Sequence, residues 1–162
     1  MKAPLTEENV MSWLKKVKDP EIPTISLIDL GVITKITVDK TKVRIDMTPT
    51  FAGCPAMDIM KSEVEKVLND HGVEDFEVHM NFDRQWSSNQ ITDKGRKAIK
   101  KHGLAPPPKH NLIVDLSILQ HVACPYCEST NTELKSPFGP TLCRSIHYCN
   151  DCRQAFEQFK PV

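Results

Sequence analysis

Cys124-Pro125-Tyr126-Cys127 and Cys149-Asn150-Asp151-Cys152 stand twenty-one residues apart, and this spacing decides how the C-terminal region folds. Two residues between paired cysteines let both thiolates reach one cation from a single turn, and four thiolates suit tetrahedral zinc at about 2.3 Å. The intervening segment is long enough for a short strand pair that brings the two knuckles together. Residues 119–162 hold too few apolar side chains for a core of their own, so a structural ion takes over that task. A redox dithiol, a disulfide pair or an iron site with the same ligands would use the same spacing. Zinc is favoured because a small module gains most from a closed structural ion, and a reducing compartment favours metal over disulfide. Cys143 and His147 lie between the pairs and are read as a small buried hydrophobe and an outward-facing strand residue, outside the ligand set.

Upstream of the ribbon, Ala105-Pro106-Pro107-Pro108 reads as a stiff spacer, which places one domain over residues 1–104, a linker over 105–118 and the ribbon over 119–162. A basic helix capped by Thr92 or Asp93 precedes the spacer and ends near Gly103; its Lys and Arg face is expected to be solvated. Phe76, Val78, Met80 and Phe82 alternate with Glu77, His79 and Asn81, as a half-buried strand requires. Met57, Met60, Val64 and Val67 recur at helical spacing after Pro55, which suits a first helical position. Two β-branched runs, residues 32–38 and 43–47, flank Asp39-Lys40-Thr41-Lys42 as a hairpin would, with Val43, Ile45 and Met47 inward. Val10, Trp13, Leu14 and Val17 mark one face of an opening helix capped by Thr6. The two prolines of residues 18–23 then break it into a rigid loop. The fold class is therefore α+β: a small three-stranded mixed sheet packed with helices, followed by a four-cysteine zinc ribbon. Trp86 is expected in the core.

Cys54 immediately precedes the second helix, where the positive end of the helix dipole and free backbone amides lower a thiol pKa and favour the thiolate. It is a candidate for handling metal, with Asp19, Glu21 and Asp29 as candidate acidic companions; the plainer alternative is a packing cysteine and loop-capping acids. Serine or cysteine triads, di-iron Glu-x-x-His helix pairs and a glycine-rich dinucleotide fingerprint are not legible in the chain. Lys and Arg number 21 and Asp and Glu also 21, so no basic field draws in nucleic acid. The ribbon is balanced too, with Lys135, Arg144, Arg153 and Lys160 against Glu128, Glu133, Asp151 and Glu157. No apolar run or signal core marks a membrane or secretory segment, and a cytoplasmic protein is expected.

Taken together, Asp19-Pro20-Glu21-Ile22-Pro23, Asp29-Leu30-Gly31, Thr48-Pro49-Thr50, Gly53-Cys54-Pro55-Ala56 and the closing cysteine module resemble the PaaD family of phenylacetate-degradation proteins. Phe138-Gly139-Pro140-Thr141-Leu142-Cys143 and Phe156-Glu157-Gln158-Phe159-Lys160 match that family's tail, and the first hundred residues look like SufT-like iron-sulfur assembly factors. The resemblance implies an accessory, non-catalytic role in the multicomponent oxygenase that converts phenylacetyl-CoA to its 1,2-epoxide. It further implies a structural zinc ion, transient handling of iron or an iron-sulfur cluster through Cys54, and oxygenase and reductase subunits as partners. The alternative is a zinc-ribbon interaction subunit with no metal-transfer role. The chain departs from the family at Asn89 and Gln90, where an acid and a second tryptophan are usual. It also departs at Pro161, where a cysteine is usual, so that cysteine is no essential ligand here.

Overall fold

The computed structural model describes residues 4–51, 53–111 and 115–162, and the chain divides into two compact units, residues 1–86 and 87–162. In the first unit, Thr6 caps α1 (Glu7–Leu14) by accepting from Asn9 N. α1 buries Val10 and Leu14 fully. An antiparallel hairpin follows, β1 (Ile33–Asp39) and β2 (Lys42–Met47), whose two-residue turn places Lys40 at φ 54°. Val43, Ile45 and Met47 are fully buried along β2, the strand alternation its sequence predicts. The chain then crosses through α2 (Met57–Asp70) to β3 (Asp75–Met80), which runs parallel to β2 and completes a mixed sheet of order β1-β2-β3. Met57, Met60, Val64 and Leu68 form the buried face of α2.

Two expectations shift here. The helix begins at Met57, with Cys54 to Ala56 in a turn in which Cys54 O accepts from Met57 N at 3.3 Å. The third strand ends at Met80: Asn81 N makes the last bond to β2, at Met47 O, and Asn81 Oδ1 then accepts from Asp83 N and Arg84 N in a turn, which leaves Phe82 76% exposed although the apolar alternation runs through it.

Trp86 is 2% exposed and donates from Nε1 to Leu30 O at 3.1 Å, tying the end of the unit to the loop before β1. Truncation to alanine is expected to cost about 3–5 kcal/mol, and exchange for phenylalanine, which mainly deletes the donor, about 1–3 kcal/mol. Urea denaturation reads both as a lowered midpoint at constant slope, and equal losses for the two variants would discount the indole hydrogen bond.

The second unit opens with a short 3-10 turn, Ser88–Gln90, and α3 (Asp93–Lys101), which Thr92 caps by accepting from Gly95 N at 3.0 Å. Its sheet has the order β4-β7-β6-β5, formed by β4 (Leu104–Ala105), β5 (Thr132–Ser136), β6 (Arg144–Cys149) and β7 (Ala155–Phe159). The expected boundary at 104/105 therefore falls inside this unit. Leu104 and Ala105 pair in parallel with Glu157 and Gln158, and the proline run that reads as a spacer instead ends an edge strand, because proline cannot donate to a ladder. Arg96 fastens the run further by donating to Pro107 O and Ser88 O. Residues 112–114 of the expected linker lie outside the described residues. Among the described residues, no helix is long and apolar enough to cross a membrane.

Candidate metal centre

Each cysteine pair sits in a knuckle closed by backbone hydrogen bonds. Glu128 N donates to Cys124 O at 2.8 Å and Cys124 N to Ser129 O at 2.9 Å, while Cys149 N donates to Gln154 O at 2.9 Å. The residue after each second cysteine takes a left-handed conformation, Glu128 at φ 64° and Arg153 at φ 58°, so the two turns share one geometry despite different sequences. β5 and β6 pair antiparallel with Thr132 opposite Cys149, which carries the second knuckle back to the first. Asp151 then bridges them, accepting from Ser129 Oγ and from Asn131 Nδ2, the latter at 2.9 Å.

The four sulfurs converge, all within 4.8 Å of one another, with Cys124 and Cys149 buried, Cys152 half-buried and Cys127 exposed. Tetrahedral ligation at about 2.3 Å sets thiolate sulfurs about 3.8 Å apart. Cys124 Sγ and Cys152 Sγ are separated by 3.7 Å, and Cys127 Sγ and Cys149 Sγ by 3.5 Å, so the donor set fits a zinc ion. Backbone amides prepare the Cys149 sulfur for negative charge. The amide of Cys152, joined by the Cys127 thiol and the amide of Asp151, brings the Cys149 thiol down to about 7 against the opposing effect of burial. Burial, then the neighbouring thiols, push Cys152 up to about 12, and a divalent cation among the four would reverse that penalty. Four protein ligands would close the coordination sphere of a bound zinc ion, which would give the centre a structural chemistry with no open position for a reacting group.

His147 is not the outward-facing residue its position suggests. β6 turns Ser145, His147 and Cys149 to one buried face; His147 Nε2 lies 2.8 Å from Ser145 Oγ and its ring stacks on Phe156 at 5.3 Å. Burial pushes its imidazole down to about 4, so it is neutral near pH 7 and lies outside the sulfur cluster. Cys143 is half-buried, 3.0 Å from Thr141 Oγ1, and also outside the cluster. Gly139 in the same loop has no room for a side chain: a Cβ there would meet Arg144 Cβ at 3.0 Å and Arg144 O at 3.1 Å. Sequence reasoning does not single out Ser129, Asn131 and Asp151, and only the fold reveals their bridge. A short polar side chain beside each cysteine pair is the one signal that precedes it.

In the first unit, Cys54 is half-buried in the turn before α2, reached through Gly53 at φ 76°. Its thiol pKa is raised, against the expected lowering: burial is the largest cause, and the carboxylates of Glu21 and Asp19 add to it, outweighing the amides of Ala56 and Met57. The helix dipole acts weakly because α2 starts three residues later. The fold thus brings Asp19 and Glu21 into electrostatic range of Cys54. Asp19 is buried and structural in part, with Oδ1 accepting from Glu21 N and Ile22 N at 2.8 Å each. Asp29 instead accepts from Ser26 Oγ at 2.8 Å. Among the described residues, the four ribbon cysteines form the sole cluster with metal-ligating spacing, and Cys54 with its acids forms none.

Two family models match this architecture, that of the PaaD zinc beta ribbon domain over residues 113–160 and that of an iron-sulfur cluster assembly protein over residues 7–79. An Escherichia coli (strain K12) protein, named as a subunit of 1,2-phenylacetyl-CoA epoxidase, is 31% identical over 160 residues, spanning 99% of this chain and 96% of its own length. An Fe-S protein maturation auxiliary factor of Porphyromonas gingivalis (strain ATCC BAA-308 / W83) is 33% identical over 91 residues, 55% of this chain and 86% of that protein. A crystal structure of a domain of unknown function, DUF59, from Bacillus anthracis is similar with a TM-score of 0.53 at 30% identity, over 57% of this chain and 90% of that one.

Proposed function

The chain belongs to the PaaD family of 1,2-phenylacetyl-CoA epoxidase components, and from that premise we propose that it is an accessory, non-catalytic subunit that assists iron or iron-sulfur maturation of the epoxidase in the cytoplasm. Its partners in this reading are the oxygenase and reductase subunits, Cys124, Cys127, Cys149 and Cys152 hold zinc, and Cys54 handles iron or a cluster in transit. The observation that carries the reading is the division of labour among six cysteines. Four are consumed by a closed cluster, while Cys54 sits in the unit that matches iron-sulfur assembly proteins, beside two carboxylates. The negative field that burdens a thiolate at Cys54 favours a cation. Arriving iron would displace the thiol proton, which leaves to solvent as the metal–sulfur bond forms. Metal analysis of anaerobically purified wild type and Cys54→Ser tests this: zinc near one equivalent in both, with iron lost from the variant alone.

A second reading, a ribbon that recognises a partner without moving metal, is favoured by Phe138 and Leu142. They stand 67% and 66% exposed on the loop between β5 and β6. In that case exchanging both for serine abolishes co-purification with the epoxidase subunits while iron loading stays normal. Retained co-purification removes this loop from consideration.

A further inference from the structure

At the end of β2 remote from Cys54, a cleft of about 420 Å³ opens between Leu5 and Trp13 of the α1 region, the β1–β2 turn and the α2–β3 turn. Trp13 and His71 form one wall, stacked with ring centroids 4.3 Å apart and planes 18° from parallel. His71 Nδ1 lies 2.8 Å from Val67 O and donates to it, which fixes the orientation of the ring. Glu74 and Asp75 line the rim; both are exposed, and among the described residues neither joins an ion pair. Lys42 is the register partner of Asp75 across the parallel pair, yet no ion pair links them. Two carboxylates and an aromatic wall present acceptors and π density, which repel anions and select a cation. Of the biological cations, guanidinium is planar, stacks on indole and carries several donors in a fixed fork, whereas an ammonium is a compact, strongly hydrated charge.

We infer that this cleft takes the guanidinium of an arginine on a partner protein. Its volume admits a whole arginine side chain with its aliphatic stem against Leu5 and Trp13. The rim selects a chain-borne arginine over the free amino acid, because the carboxylate of the latter would meet Glu74 and Asp75 while a peptide-borne residue has none. The site is independent of the role assigned to Cys54.

The test is an NMR titration of the full-length chain with N-acetyl-arginine amide, followed at the Trp13 indole N–H and the His71 ring. The expected result is saturable shifts at these two groups, weaker binding of free arginine, and no saturation with the N-acetyl amide of citrulline, which has the same shape without the charge. A Glu74→Gln, Asp75→Asn double variant should weaken the affinity about tenfold, as loss of charge-assisted bonds at a partly exposed site requires. Both side chains are exposed, so the exchange leaves the fold in place, which the unchanged dispersion of the spectrum checks. Equal binding of the citrulline analogue, unchanged affinity in the double variant, or no saturable shift at Trp13 and His71 overturns the proposal. Tighter binding of free arginine overturns the partner assignment, giving the cleft to a small molecule.

Discussion

Cys149→Ser should abolish zinc retention and unfold residues 87–162, while residues 4–86 keep their structure. The cysteine is fully buried and belongs to the small cluster of Ala105, Val122, Cys124, Cys149 and Phe156, with Cys152 packed against it, so two ligands are themselves core residues. Structural zinc contributes roughly 10–16 kcal/mol in small thiolate sites, comparable with or larger than the whole stability of an ordinary domain, about 5–15 kcal/mol. A serine hydroxyl is a poor replacement for a thiolate, and at this buried position the lost ligand is also a lost part of the core. The first unit does not share this dependence: its core of Val10, Leu14, Ile25, Leu27, Val43, Ile45 and Leu68 contains no ligand. The Bacillus anthracis structure, moreover, is a chain matched over 90% of its length by only 57% of this one. Two-dimensional NMR with a zinc assay separates the cases, and chelation of the wild type should reproduce the variant's spectrum. A ribbon that keeps its dispersed signals without zinc would contradict the structural role. Cys127→Ser, at the exposed corner of the cluster, should be milder, lowering affinity before it unfolds the unit. Acid should act like chelation, because the ligands bind metal only as thiolates and proton competition grows as pH falls.

Cys54→Ser should leave both units folded and nevertheless cost the cell its active epoxidase. The side chain is half-buried in a turn, so the exchange of sulfur for oxygen is expected to change stability by less than about 1 kcal/mol. Its effect on maturation should be about tenfold or more, the scale on which loss of a group supporting a metal site is felt. Asp19 provides a control of a different kind. Asp19→Asn keeps an oxygen to accept from Glu21 N and Ile22 N but removes the negative charge, so the loop should persist while iron uptake falls. Full epoxidase activity in cells carrying Cys54→Ser, with normal expression, would eliminate the cysteine from the mechanism. Normal iron loading with lost activity would move its role to docking.

What the sequence made legible was local. The two Cys-x-x-Cys spacings, the hairpin around Lys40 and the alternation along Val43, Ile45 and Met47 each follow from periodicity or ligand geometry within a few residues, and each is present in the structure. What it hid was set by distant partners. A Leu-Ala dipeptide before three prolines has no period, so β4 shows only when β7 arrives beside it. His147 follows the same inward alternation as Cys149, but a histidine opposite no visible partner reads as a surface residue until Ser145 and Phe156 are placed against it. For Cys54, the sign of the pKa shift depended on burial and on carboxylates more than thirty positions earlier in the chain, neither of which the helix-start argument contains.

The pairing of Leu104 with Glu157 also orders events during synthesis. The first unit is complete once Trp86 has left the ribosome and can dock on Leu30, and its parallel β2–β3 pair closes over a short crossover. The second cannot close until β7 is made, because that strand lies between β4 and β6 and both knuckles must be present before the four sulfurs meet. A nascent or truncated chain therefore carries a finished assembly-type unit tethered to open thiols. A chain that stops short of Cys152 would lack the complete set of sulfurs that a bound ion needs.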